Sequence, residues 1–129
     1  MTSAIVPSIF HFTIILKDVK HQKVSLWNTM QDFQQAQLQS IQLLADFKER
    51  LQVGMNVQQG QLLLQELNQS HGFLGWLTRP TLLFQAQKNS FIPTKQVLRE
   101  GSIVVIHLQP LTSNAYGSIG ESFCFQHER

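Results

Sequence analysis

Cys124 and His127, with two residues between them, have the spacing of half a zinc site. A structural zinc site needs four ligands, and His11, His21, His71 and His107 are scattered singly. The same thiol could act as a nucleophile beside His107 or His127, with a carboxylate orienting the imidazole. His107, however, alternates with Ile106 and Leu108, where a surface or satisfied core histidine is the commoner outcome. Asp32 and Asp46 would share a helix face, but fourteen residues of helix separate them by about 21 Å. They cannot act on one bond. Neither a G-x-G-x-x-G loop nor a P-loop occurs. No catalytic residue, metal or cofactor is therefore assigned. The expectation is a non-enzymatic protein. The alternative is a small enzyme or ligand-binding domain with a helix/sheet pocket using His71, His107 or Cys124.

The residues that stand out are those of one long helix, expected over 25–51. At ~100° per residue, Leu26, Met30, Phe33, Ala36, Ile41, Leu43, Leu44, Phe47 and Leu51 fall on one broad stripe. Trp27, Leu38 and Ala45 widen it to roughly 220°, where a helix lying on one core needs ~100° or a little more. Gln37 and Ser40 sit near its middle, where a core would prefer Leu. Such polar groups can fix register in a helix seam, or water can reach them where the helix bows. Ser25 and Asn28 both satisfy the N-cap preference, leaving two starts open.

Before the helix, 8–16 reads as a strand apolar on both faces, and 17–22 as a polar turn. Residues 23–26 read either as a return strand or as the lead into the helix. After it, Gly54 suits a left-handed C-cap and 54–60 a loop. A short helix is expected over 61–70, stopped by Gly72. Strands are expected at 82–87 and 103–108, with Leu83 facing opposite to Leu82 and Phe84. Phe91 and Ile92 start a short extended piece, and 99–101 is a tight turn. The predicted fold is α+β: a single domain over 1–129, with a small mixed sheet covered by one long and one short helix. Residues 112–129 read as a docking or flexible tail ending in Phe123 and Phe125.

Length and composition fit one globular domain of 129 residues. Charged residues make up only 14%, against about 25% in an average protein. Eighteen Gln fill the gap, seven of them between Gln22 and Gln42. Gln solvates a surface without repelling a neighbour, and costs less to bury at an interface than Lys or Glu. The net charge of +2 is too small to imply a nucleic-acid partner. A further alternative is a weak nucleic-acid binder through the compact basic turn 17–23, where Lys17, Lys20 and Lys23 could contact an anion, although no aromatics interleave with it as a base-stacking platform requires. With one cysteine no intrachain disulfide is possible, which favours a reducing compartment and a cytoplasmic location. No apolar run approaches the ~18 residues of a membrane span.

From Thr81 onward, TLLFQAQKNSFIPTKQVLREGSIVVIHLQP resembles the second half of a ubiquitin-like β-grasp domain. There a leucine, a charged pair and a glycine, here Leu98-Arg99-Glu100-Gly101, precede the last strand. A hairpin at 8–26 followed by a helix would match the first half. The long helix and the thirty or so residues after it depart from that family. So does the continuation past Leu108 into Pro110-Leu111-Thr112, where conjugating members end in Gly-Gly. The resemblance implies a β-grasp-like alternative topology and no carrier chemistry.

The surplus apolar arc predicts a protein-binding or assembly module: an oligomeric accessory subunit, adaptor or dedicated chaperone, with a homo-oligomer expected. The predicted interface residues are Trp27, Phe33, Gln37, Leu38, Ile41 and Ala45 on the long helix. Phe73 and Trp76 in the HGFLGWL segment join them.

Overall fold

Helix α1 runs unbroken from Val19 to Arg50, a stretch without Gly or Pro and rich in Gln, Leu and Lys. A computed structural model describes the backbone of residues 19–85 and 97–126, with side chains from Asn28 onward in those ranges. The helix starts earlier than the sequence suggests. Lys20 to Leu26 are helical, so neither a return strand nor a turn over 19–22 exists, and Ser25 and Asn28 are interior rather than caps. The hairpin at 8–26 that the β-grasp alternative needs is thereby lost. The expected strand at 8–16 and the extended piece at 91–92 lie outside the described residues.

One face of α1 enters the core through Ala36, Leu43, Leu44, Phe47 and Leu51. Lys48 and Arg50 in its last turn complement the helix dipole. Gly54, at φ +91°, then reverses the chain, as its sequence position suggests. Its N–H donates to the Leu98 carbonyl and the Leu98 N–H to Met55, each at 2.7 Å.

Helix α2 spans Val57–Ser70, starting four residues before the expected boundary. Asn56 caps it by accepting from the Gln59 N–H, while the Gln59 side chain accepts from the Asn56 N–H. This capping box turns the second half of the expected 54–60 loop into helix. Gly60 faces the sheet so closely that a Cβ there would stand 2.6 Å from Leu82 Cδ2.

Among the described residues five strands follow: β1 Gly75–Trp76, β2 Thr81–Gln85, β3 Ile103–Leu108, β4 Pro110–Leu111 and β5 Ile119–Cys124. β1 pairs with β4, while β2, β3 and β5 form a three-stranded sheet with β3 in the middle. Every pairing among these described strands is antiparallel. The α+β class holds, with a small sheet covered by one long and one short helix. Leu82 and Phe84 point inward and Leu83 outward, as expected. The turn at 99–101 closes through Ser102 N–H to the Arg99 carbonyl, with Gly101 at φ +84°. Residues 119–124, read as part of a tail, are instead an edge strand in full register with β3, and Phe125 is buried beyond it.

The core is the space between both helices and the inner sheet face. Phe47, Leu43, Leu64, Leu98, Val104, Ile106 and Leu108 are its most enclosed members. No helix among the described residues is long and apolar enough to cross a membrane.

Candidate functional site

The face of α1 turned away from the core carries Met30, Leu38, Ile41 and Ala45, all exposed. Steps of three and four residues link Leu38, Ile41 and Ala45, and Gln34 continues the line toward Met30, so the four share one flank. Leu38 is 56% exposed, Ile41 46% and Met30 42%. None of the exposed residues between 28 and 45 is charged; Gln31, Gln34, Gln35 and Gln42 fill the positions around the apolar ones. The wide arc is thus divided. About half enters the core, and the flank holding Leu38, Ile41 and Ala45 stays uncovered by the described residues.

The other expected interface residues on α1 are engaged within the chain. Phe33 is half-buried and meets Tyr116 edge-on, with ring centroids 5.2 Å apart. The Gln37 amide donates to the Ser118 carbonyl and accepts from the Ser118 N–H, both at 2.9 Å. Ser40 is fully buried and donates to the Ala36 carbonyl at 2.7 Å. A Cβ on Gly117 would overlap the Ser40 hydroxyl and stand 2.9 Å from the Ala36 oxygen. The polar break in the stripe is therefore a seat for the backbone of the 115–118 loop. Neither a seam between helices nor a water-filled bow is needed to account for it. Trp27 lies in α1, but its side chain is outside the described residues.

Phe73, expected at the surface, is a core residue because its N–H bonds the Asn68 carbonyl and turns the ring inward. Trp76 is half-buried against the core, and its indole N–H donates to Gln65 Oε1 at 3.1 Å. Lys17 lies outside the described residues. Lys20 and Lys23 occupy the start of α1, three residues apart on a helix rather than in a compact turn.

The candidate chemical groups are dispersed. His71, at the C-cap of α2, places Nε2 3.2 Å from Asp46 Oδ2 on α1, and Arg50 Nε donates to Asp46 Oδ1 at 2.9 Å. The His71 hydrogen bond, then that of Arg50, hold the Asp46 carboxyl below its ordinary value of 3.8. His107 and Cys124 both point outward on the open sheet face. Cys124, however, is opposite Ile103, four residues from His107, or about 13 Å along the strand. His107 Nε2 has Ser118 Oγ at 3.5 Å. Among the described residues no three His, Cys, Asp or Glu side chains gather as metal ligands.

Two helices on small antiparallel sheets, with one helix flank left open, define an α+β unit without a barrel. No family model and no curated protein matches the sequence. In fold the chain is similar to the X-Pro aminopeptidase from Thermotoga maritima MSB8, with a TM-score of 0.62 and 16% identity. The match covers 75% of this chain and 28% of that one, and at such identity it shows the fold alone.

Proposed function

We propose that this protein is a non-enzymatic binding or assembly module that holds another protein chain against the outer flank of α1. The observation that carries this reading is the half-exposed row of Met30, Leu38 and Ile41 on α1, flanked at its exposed positions by Gln. Full burial of such a side chain contributes about 1.5–3 kcal/mol, so covering what remains exposed on these three contributes on the order of 3 kcal/mol. Association costs more than that in lost freedom. The Gln side chains around the row must therefore add hydrogen bonds, and the resulting contact is reversible rather than permanent. The fold likeness supports the same picture in one respect. A unit of this kind is 28% of the aminopeptidase chain, one part of a larger protein. The activity in that protein's name is not transferred, since its fold is all that is shared.

A photo-crosslinking residue placed at position 38 in the cell that makes the protein tests the reading. Adducts to a protein chain are expected there and not from the same group at Gln58, an exposed position on α2. Equal labelling at both positions, or none at 38, would overturn it.

A further inference from the structure

We propose that the β5 side of α1 roofs a place for one more β-strand, and that the partner chain enters there as an extended segment pairing antiparallel with the free edge of β5. The inference rests on the reading of α1 as a binding surface and specifies the form in which the partner arrives.

β5 is an edge strand of the three-stranded sheet, and its backbone groups alternate in direction. The Phe125 N–H donates to the Ser102 carbonyl at 2.7 Å. In the same register Phe123 with Val104, Glu121 with Ile106 and Ile119 with Leu108 are then the hydrogen-bonded pairs. The N–H and C=O of Gly120 and Ser122 therefore point away from β3, and no described residue bonds them. Both residues are exposed and uncharged, and β5 carries neither a proline nor a bulge, the devices that close an edge to another strand.

The core is open on the same side. Val104, Ile106 and Leu108 are at most 1% exposed, whereas their cross-strand neighbours on the same face, Phe123, Glu121 and Ile119, are only half-buried. α1 runs above this margin. Gln37 reaches the loop entering β5, and Lys48 reaches Glu121 and Phe123. Ile41 lies on the helical line between them, with Ala45 beside it, so both stand on the β5 side of α1. A strand one spacing beyond β5, about 4.8 Å, lies beneath them. A helix or loop could cover Ile41 but could not meet the repeat of outward N–H and C=O groups. An extended chain does both. Its residues opposite Glu121 turn toward Ile119, Phe123 and Ile41 and must be apolar. Those opposite Gly120 and Ser122 turn to the open sheet face and can be polar. The partner segment is thus apolar at every second position.

The probe is a fluorescent peptide of alternating Val and Thr with lysines at both ends. Titrated with the full chain up to about 1 mM, it should bind saturably. With Val turned inward, its Thr amides face β5 and its Val amides face away. Methylating the Thr nitrogens should weaken binding by about tenfold or more, and methylating the Val nitrogens should not. Ser122→Pro removes an outward N–H without touching the pairing to β3, a position where an edge strand tolerates proline, and should also cost about tenfold. Ile41→Glu tests the roof independently of that variant and should give a similar loss. The Gly120 and Ser122 amides should exchange freely in the free protein and slow when the peptide binds. Amides already protected in the free protein would mean that the chain fills its own edge, which overturns the proposal. So would absence of saturable binding, or equal effects of the two methylations. A concentration-dependent doubling of the 14.8 kDa mass that Ser122→Pro abolishes would make the occupant a second copy and overturn the choice of another chain. Crosslinks from position 38 without peptide binding would overturn the added strand and leave the binding role standing. Peptide binding without those crosslinks would uphold the edge site and remove the wider α1 flank as a surface.

Discussion

Gln37 and Ser118 hold each other by two hydrogen bonds of 2.9 Å, although 81 residues separate them. The Gln amide matches the backbone N–H and C=O as a neighbouring strand would, and so ties the middle of α1 to the loop entering β5. Gln37→Met keeps the length and removes both bonds. A loss of about 1–3 kcal/mol is expected, read as a Tm lower by several degrees. An unchanged Tm would mean that water replaces the pairing at no cost.

Gly117 and Ser40 meet at the same crossing. Gly117→Ala forces a methyl group into the Ser40 side chain and against the Ala36 carbonyl. The expected cost is about 2–3 kcal/mol from overpacking. Ser40→Gly should recover part of it, although glycine inside a helix itself costs about 0.5–1 kcal/mol. A denaturation cycle over the four chains should give a coupling above ~0.5 kcal/mol, and strict additivity would show that the two residues do not touch.

Asp46 makes stability depend on pH with a defined sign. Its folded-state pKa lies below the ordinary 3.8 because His71 and Arg50 bind the ionised form. The contribution is complete above the unfolded-state value and is lost as pH falls through the folded one. Urea midpoints of wild type and Asp46→Asn should therefore differ most above the ordinary carboxylate value and converge as pH falls through the lower folded-state one. A gap that widens on acidification would contradict the assignment.

Leu38 and Leu43 are five residues apart on α1 and face opposite environments. Leu38 is 56% exposed and Leu43 is fully buried. Leu38→Glu should change monomer stability by no more than about 0.5 kcal/mol. Leu43→Glu buries an unpaired carboxylate and should abolish cooperative folding. Circular dichroism melts separate the two outcomes.

Lys48 reaches Glu121 at 2.6 Å and lies 4.6 Å from the centre of the Phe123 ring. Both charged groups are about a third exposed, so Glu121→Gln should cost less than about 1 kcal/mol, and less still in high salt. Lys48→Ala removes the ring contact and the buried stem as well, and should cost more.

Local signals carried much of this fold. The alternation of Leu82, Leu83 and Phe84 named the inner face of β2, and Gly54 and Gly72 marked the helix ends because only glycine takes their positive φ without strain. Asn56 and Gln59 also spelled a capping box, which two flanking glycines disguised as loop. β5 alternates correctly, but Gly120 and Ser122 are poor strand formers, so the segment resembled a tail. The split of the α1 stripe was not legible, nor were the roles of Gln37, Ser40 and Phe73. Each depends on backbone that arrives from elsewhere in the chain, and periodicity within one helix cannot say which of two apolar flanks the sheet will choose.

The contacts that anchor α1 to β5 and to the loop entering it bridge 73 and 81 residues. At ~5–20 residues per second of synthesis, the inner face of the helix leaves the ribosome roughly 4–16 s before that strand exists to meet it. During that interval Leu43, Leu44 and Phe47 are as naked as Leu38 and Ile41. The nascent protein is then most vulnerable to aggregation, and a chaperone has its widest access.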